Sequence, residues 1–420
     1  MRARTTSSRH SFPPPDFTMK PLLTLASWSL WLATAQADPP RFSEHLIGAG
    51  YSYSFGIATA DIDGDGDLDI SSADALPNNR LYWYQNNGQG TFQRHIVQRD
   101  DPQRLERHAL ADIDQDGHVD IVIVKNLLGD VLWFRNDGAP DDGRLWQRHV
   151  ICAKRLTGAY DVAVGDFDGD GDPDVAASSW RLSNNYVWFE NDGTPATGTW
   201  TMRVIDEKIP ETRNIRAADI DRDGDLDLVC TARVANLVVW YENSGQPARQ
   251  GWRKHVIDDR SAQPIHGEIV DMEGDGDLDF VLCLGMGYTG DGKQEQVAWY
   301  ENDGSPSDGP WPKHLIANEM WGAFEAATLD YDRDGDRDVV LTTGYADLRG
   351  KQDIAFHRIW IMENQGDPKG DWKPHLLRDK WRRVNQVLTA DLDDDGWVDI
   401  VAGAERGSNE VRWWRNTGGE

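Results

Sequence analysis

The sequence predicts an all-β fold: a single seven-bladed β-propeller, closed by an N-terminal strand that completes the last blade. Three observations predict it. An acidic string, D-x-[DE]-x-D-G-x-x-D, recurs seven times, starting at Asp61, Asp112, Asp166, Asp219, Asp271, Asp330 and Asp391, at spacings of 51, 54, 53, 52, 59 and 61 residues. Each string is accompanied by four short apolar stretches separated by turn residues, the pattern of one propeller blade per repeat. The seventh unit runs out at Glu420 after its third stretch, and the missing fourth stands at the other end of the chain, as Phe42-Ser43-Glu44-His45-Leu46-Ile47. A displaced copy suits a ring, where it removes the open sheet edge, and does not suit an open solenoid.

Taken in order, the chain begins with a leader. Met19-Lys20-Pro21 is basic, the segment after it is apolar, and Ala35-Gln36-Ala37 is a small-x-small cleavage pattern. An apolar run of about 12 residues is a secretory signal rather than a bilayer span. Residues 1–37 are therefore expected to be an upstream extension plus a cleaved signal peptide (19–37), and 38–420 the propeller. The mature protein is expected to be secreted or periplasmic, monomeric and without a membrane span.

Within each unit the first strand precedes the acidic string and the second follows it. The third carries W-x-x-N-x-G: Trp83/Asn86/Gly88, Trp133/Asn136/Gly138, Trp188/Asn191/Gly193, Trp240/Asn243/Gly245, Trp299/Asn302/Gly304 and Trp413/Asn416/Gly418, with Ile361 in the Trp place before Asn364 in the sixth unit. The fourth carries aromatic-x-x-His, as in Phe92/His95 and Trp146/His149; the third unit has Trp200 but Arg203. Cys152, Cys230 and Cys283 are an odd number, which excludes a disulfide framework and reads as buried small hydrophobes.

Charge excludes further classes. Asp+Glu number 71 and Lys+Arg 43, a net charge of −28, so there is no basic face for nucleic acid. With 19 Trp, 11 Tyr and 11 Phe, disorder is excluded too. The acids have an address. Seven strings with four carboxylate positions each hold 28 of them, equal to the whole excess.

Alternating carboxylates in a short loop supply the hard oxygens calcium needs, with Gly at position six for the turn and a carbonyl at position seven. The ligand positions are Asp61, Asp63, Asp65, Asp67 and Asp69; Asp112, Asp114, Asp116, His118 and Asp120; Asp166, Asp168, Asp170, Asp172 and Asp174; Asp219, Asp221, Asp223, Asp225 and Asp227; Asp271, Glu273, Asp275, Asp277 and Asp279; Asp330, Asp332, Asp334, Asp336 and Asp338; and Asp391, Asp393, Asp395, Trp397 and Asp399. Position twelve is never Glu, which excludes an EF-hand. On these strings the chain resembles the FG-GAP or VCBS-like repeats of integrin-α type propellers, over about residues 42–418. The resemblance implies up to seven calcium ions, one per blade, on the face opposite the usual ligand face.

Function is then sought in residues the repeat does not explain. Five residues before each string stand Gly56, Arg107, Asp161, Asn214, His266, Glu325 and Gln386, a polar ring expected to rim the central channel away from the metal loops. His108 and Tyr160 neighbour it, and Arg216 and Glu268 interrupt an otherwise small or aliphatic series. Loops and connections on that face add Trp180, Arg181, Tyr288, Trp321, Tyr345, His357 and Trp381 as ligand-binding candidates with Glu268. Aromatic faces with mixed charge suit sugars.

Two functions are expected from different classes. One is a binding module for a carbohydrate or an extracellular protein. The other is a sugar lyase or dehydratase: the W-x-x-H-[VI] repeat is also similar to the propeller of aldos-2-ulose and anhydrofructose dehydratases. β-Elimination needs a base, an acid and an enolate stabiliser. His108 or His266 is the candidate base, Tyr160 the acid, and Arg107 or Arg216 the stabiliser.

Overall fold

The computed structural model describes residues 41–286, 295–345 and 356–418. The leader and Tyr288 lie outside them. The described residues form seven four-stranded antiparallel sheets, each built from strands consecutive in sequence except the last. That one takes Val384–Ala390, Asp399–Ala404 and Glu410–Asn416 from the C-terminal end and Phe42–Ala49 from the N-terminal end. Phe42 pairs with Asn416 and His45 with Trp413, so the displaced stretch is the fourth strand of blade 7. Glu44 fastens the seam, accepting from Arg412 at 2.9 Å and from Arg378 of blade 6 at 2.7 Å. No helix among the described residues is long and apolar enough to cross a membrane.

Second strands such as Asp120–Lys125 and Asp279–Leu284 are buried along their whole length, because a blade covers each of their faces. This is why the sequence after each string is a continuous apolar run rather than an alternation. The cores lie between neighbouring blades: Ala73, Leu81 and Trp83 of blade 1 cluster with Ile121, Leu132 and Phe134 of blade 2. The recurring His stacks on the Trp of its own blade, with centroids 4.7 Å apart for Trp83–His95 and 4.4 Å for Trp133–His149. All three cysteines are free and buried.

First strands carry the feature that places the channel residues. The register against the second strand shifts between Ser54 and Ile57, Leu105 and His108, Ala159 and Val162, Thr212 and Ile215, and Val384 and Val387. Each shift is a β-bulge, which re-aims side chains. It falls on the residues five and six before the string.

Candidate functional site

Each acidic string closes into a loop held by its own backbone. Asp61 accepts from the N–H groups of Gly64 and Gly66, at 2.8 and 3.0 Å, and Asp65 accepts from Asp67 N–H at 3.0 Å. Asp69 is buried at the base. It accepts from Ile62 N–H at 3.0 Å and from Asn86 N–H at 2.7 Å, which ties the loop to the W-x-x-N strand. The same two bonds to position nine recur in the other blades, as with Asp120 and Asp399. Asn86 also donates to Leu392 O of blade 7 at 2.6 Å, and Asn136 to Ile62 O of blade 1 at 2.7 Å, so each of these Asn residues staples two acidic loops together. The side chain at position seven lies over the glycine of the third-strand turn: a Cβ on Gly88 meets Asp67 at 2.5 Å, and Gly88 has φ +67. With its side chain there, position seven would offer a cation its carbonyl oxygen.

The donor set fits a metal. Asp61, Asp63 and Asp69 each bring one oxygen within 4.8 Å of the others, and so do Asp112/Asp114/Asp120, Asp166/Asp168/Asp174, Asp219/Asp221/Asp227 and Asp330/Asp332/Asp338. Buried oxygens on Asp114, Asp168, Asp219, Glu273, Asp330, Asp332, Asp391 and Asp393 have no hydrogen-bond donor. Burial, seconded by the surrounding carboxylates, pushes Asp120, Asp174 and Asp227 up to about 8, against the pull of their backbone N–H bonds. A carboxylate held that high next to lone pairs without donors is the electrostatic signature of a site that wants a cation.

On the opposite face the channel is crossed by charge. Arg107 of blade 2 donates to Glu325 of blade 6, Nη1 to Oε1 at 3.1 Å, and Arg216 of blade 4 donates to Asp161 of blade 3 at 3.0 Å. Glu268 is occupied by Thr328, accepting from its N–H at 2.6 Å. Gly56, φ +87, leaves the space that His108 fills, since a Cβ there meets His108 Nδ1 at 2.9 Å. His108 pairs with Ser71 of blade 1 through Nε2 at 2.6 Å, and burial, then Arg107, lowers it to about 4. His266 and Tyr160 come together: Nε2 and Oη are 2.9 Å apart and the rings stack. Both are buried, and burial followed by Arg107, Arg213 and Arg216 holds the imidazole well below its usual range.

Above Tyr160 the side chains are layered. Trp180 meets the Tyr160 ring edge-on at 5.9 Å, with the Arg213 guanidinium 4.1 Å and the Arg181 guanidinium 3.9 Å from the indole centroid. Exposure rises outward from buried Tyr160 through half-buried Trp180 to Arg181, whose side chain is 57% exposed. Across the face Tyr53 lies between Arg104 at 5.0 Å and the exposed Arg406 at 4.7 Å. Tyr345 packs on Phe324 with ring centroids 3.9 Å apart and tilted by 38°, and carries Arg383. Trp321 packs on Phe356, and His357 Nδ1 accepts from Arg383 N–H at 2.7 Å. Trp381 does not reach the face, being 3% exposed and wedged against Trp414 in the core beside blade 7. Separately, a groove of about 480 Å³ between blades 4 and 5 is lined by Asp258, Arg260, Trp311 and Lys313.

Sequence reasoning does not single out Arg213, Tyr53, Arg104, Glu106 or Arg383. The signal is present all the same. The residues six before each string read Phe55, Glu106, Tyr160, Arg213, Ile265, Phe324 and Asn385, a second set beside the first that in blades 1, 2, 3, 4 and 7 falls at the register shift. Eight before stand Tyr53, Arg104, Glu211 and Arg383.

The FG-GAP-like repeat profile matches residues 61–123, 112–177, 219–282 and 271–341, more than half of the chain. The chain belongs to the FG-GAP-like repeat family. Solved structures similar to this FG-GAP-like propeller include an Agrocybe aegerita lectin described as recognising non-reducing terminal N-acetylglucosamine. Its TM-score is 0.53 at 17% identity, covering 87% of this chain and 86% of that one. BBS1N in complex with ARL6DN also aligns, with a TM-score of 0.53 at 9% identity over 90% and 97% of the two chains. At these identities the likeness is one of fold. No curated protein matches the sequence.

Proposed function

We propose that this FG-GAP-like protein is a secreted, calcium-stabilised propeller that binds a carbohydrate on the face opposite its metal loops. One observation carries the reading: the Arg213 and Arg181 guanidiniums pack on Trp180, and across the face Arg104 and Arg406 pack on Tyr53. The rings hold the guanidiniums in place, and the exposed edges of Arg181 and Arg406 donate to the hydroxyl or carboxylate oxygens of a sugar. The face stands on loops of a rigid ring, where recognition commonly resides. Calcium fills the acidic loops in this reading, up to one per blade, and residues 19–37 direct export and are removed. The lectin neighbour's sugar recognition is consistent with the reading but belongs to that protein.

A second reading has its own observation. The Tyr160–His266 pair, with arginines around it, has the composition of an acid and base for β-elimination in a sugar lyase. Trp180 and Arg213 cover it, which favours binding over catalysis. A glycan array run beside an ultraviolet assay for unsaturated sugar products separates the two. Array signals lost in Trp180→Ala and Arg181→Ala support the binding module. Product formation abolished by His266→Gln supports the lyase, and silence in both assays leaves a protein ligand.

A further inference from the structure

We infer that the seven loops are not equivalent: Arg135 in blade 2 and Arg415 in blade 7 act as built-in counter-ions that make their two loops the weak cation sites. The inference rests on the reading of the acidic strings as calcium loops.

The residue just before the recurring Asn lies beside the loop carboxylates, and it reads Gln85, Arg135, Glu190, Glu242, Glu301, Glu363 and Arg415. In blades 4, 5 and 6 the Glu turns to the fourth-strand His, as Glu242 to His255 at 2.5 Å and Glu301 to His314 at 2.6 Å; in blade 3 Glu190 pairs with Arg203. Gln85 of blade 1 donates to Asp63 alone among the loop carboxylates, at 2.6 Å. The two arginines do something different. Arg135 donates through Nε to Asp114 at 2.5 Å and through Nη2 to Asp116 at 2.7 Å. Arg415 donates through Nε to Asp393 and through Nη2 to Asp395 at 3.1 Å. Each fork thus spans positions three and five of its own loop.

A second, independent departure falls on the same two loops. Position seven is Asp in blades 1, 3, 4, 5 and 6 but His118 in blade 2 and Trp397 in blade 7. Those two loops therefore lack the acidic side chain that adds negative charge to the other five. Other cations reach the loops without forking across positions three and five. Lys369 meets Glu273 at 3.2 Å but shares itself with Glu301 at 2.8 Å. Arg222 crosses from blade 4 to the position-seven Asp277 at 2.8 Å. Arg41 lies 3.8 Å from Asp332.

A guanidinium forked across two carboxylates supplies the charge and donors that a divalent ion supplies elsewhere. An incoming cation has to displace it. The arginine side chains are 34% and 42% exposed, so they can swing into solvent, and Asp393 Oδ1 remains buried without a donor. The loops are weakened, not abolished. The placement has a consequence for the ring: blade 7 is the blade completed by Phe42–Ala49, and its loop is neutralised by Arg415 while Glu44 holds the seam through Arg412 and Arg378. Closure is held by the chain's own charges, and calcium tightens the blades in between.

The test is calcium titration of the chelator-stripped, full-length protein by calorimetry with equilibrium dialysis. The wild type should show five tight sites and two that are weaker on the order of tenfold or more. Arg135→Gln with Arg415→Gln places at both positions the residue type that blade 1 carries there as Gln85, and should tighten the two weak sites, with the remaining gap to the other five left by His118 and Trp397. Two sites left as weak as in the wild type overturn the inference. Glu242→Arg should remove one tight site, and this arm decides the matter if the double variant does not fold. Seven equivalent sites in the wild type, or an unchanged number of tight sites in Glu242→Arg, overturns the inference while leaving the loop assignment standing. Absence of calcium binding overturns both.

Discussion

Arg107 and Glu325, 218 residues apart in sequence, meet across the central channel as a buried ion pair between blades 2 and 6. Their side chains are 3% and 5% exposed, and Arg216 approaches the same carboxylate at 3.8 Å. A ring of seven blades has an axis that something must fill, and here polar groups fill it in matched pairs.

Removing one partner of such a pair strands a buried charge. Glu325→Leu leaves Arg107 and Arg216 without their shared carboxylate and should cost about 3–5 kcal/mol. The double variant Arg107→Leu/Glu325→Leu should be closer to wild type than Glu325→Leu alone. Urea denaturation of the wild type, Glu325→Leu, Arg107→Leu and the double variant checks this, and a double variant as unstable as the sum of the two singles would contradict it.

Removal of divalent ions should lower the melting temperature markedly, and calcium in excess should restore it. Each site saturated about a hundredfold over its dissociation constant is worth about 2.7 kcal/mol to the folded state. Calorimetric melts with EDTA, then with calcium, provide the measurement. An unchanged melt contradicts the metal assignment.

His108 makes stability depend on pH. Burial and Arg107 lower it to about 4 in the fold, against about 6.5 unfolded. Between those values the unfolded chain takes up a proton that the folded chain refuses, so stability falls as pH drops from 6.5 towards 4 and the loss is complete below 4. Full expression of the shift amounts to about 3 kcal/mol. Glu106, raised by burial to about 7, acts in the opposite sense over an overlapping range. The measurement is therefore a difference: the gap between wild type and His108→Gln should shrink or reverse in favour of the variant as pH falls through this window.

Asn86 carries a bond across the seam blades, to Leu392 O, whereas the Asn191 amide donates to Pro173 O of its own blade. Asn86→Ala should cost about 1–3 kcal/mol, because it leaves a buried carbonyl in the neighbouring blade without its donor. Asn191→Ala should cost less. Thermal melts of the two variants side by side make the comparison.

Much of this is legible in the chain itself. The seven strings, the third-strand Trp and Asn, and the displaced strand at Phe42 are local patterns, and local patterns carry their own turn chemistry and burial. The offset of five residues points at the channel, because a repeat puts equal offsets at equal places. It stops short of Arg213 and Arg104, six and eight residues before their strings, because a bulge in the first strand brings two adjacent residues inward where a regular strand would bring one. The place of Trp381 between blades points it towards the ligand face, but Trp414 closes over it.

By itself the sequence determined the number of blades, the strand that completes the ring, the position of every acidic loop and the source of the net charge, since each is set by residues close together in the chain. Only the tertiary structure decided which residues face one another. That Arg107 meets Glu325, that His266 is taken by Tyr160 and not by His108, and that Arg135 and Arg415 lie inside two of the loops all depend on ring closure and strand pairing. Pairings between distant blades leave no periodic trace, because each is made once.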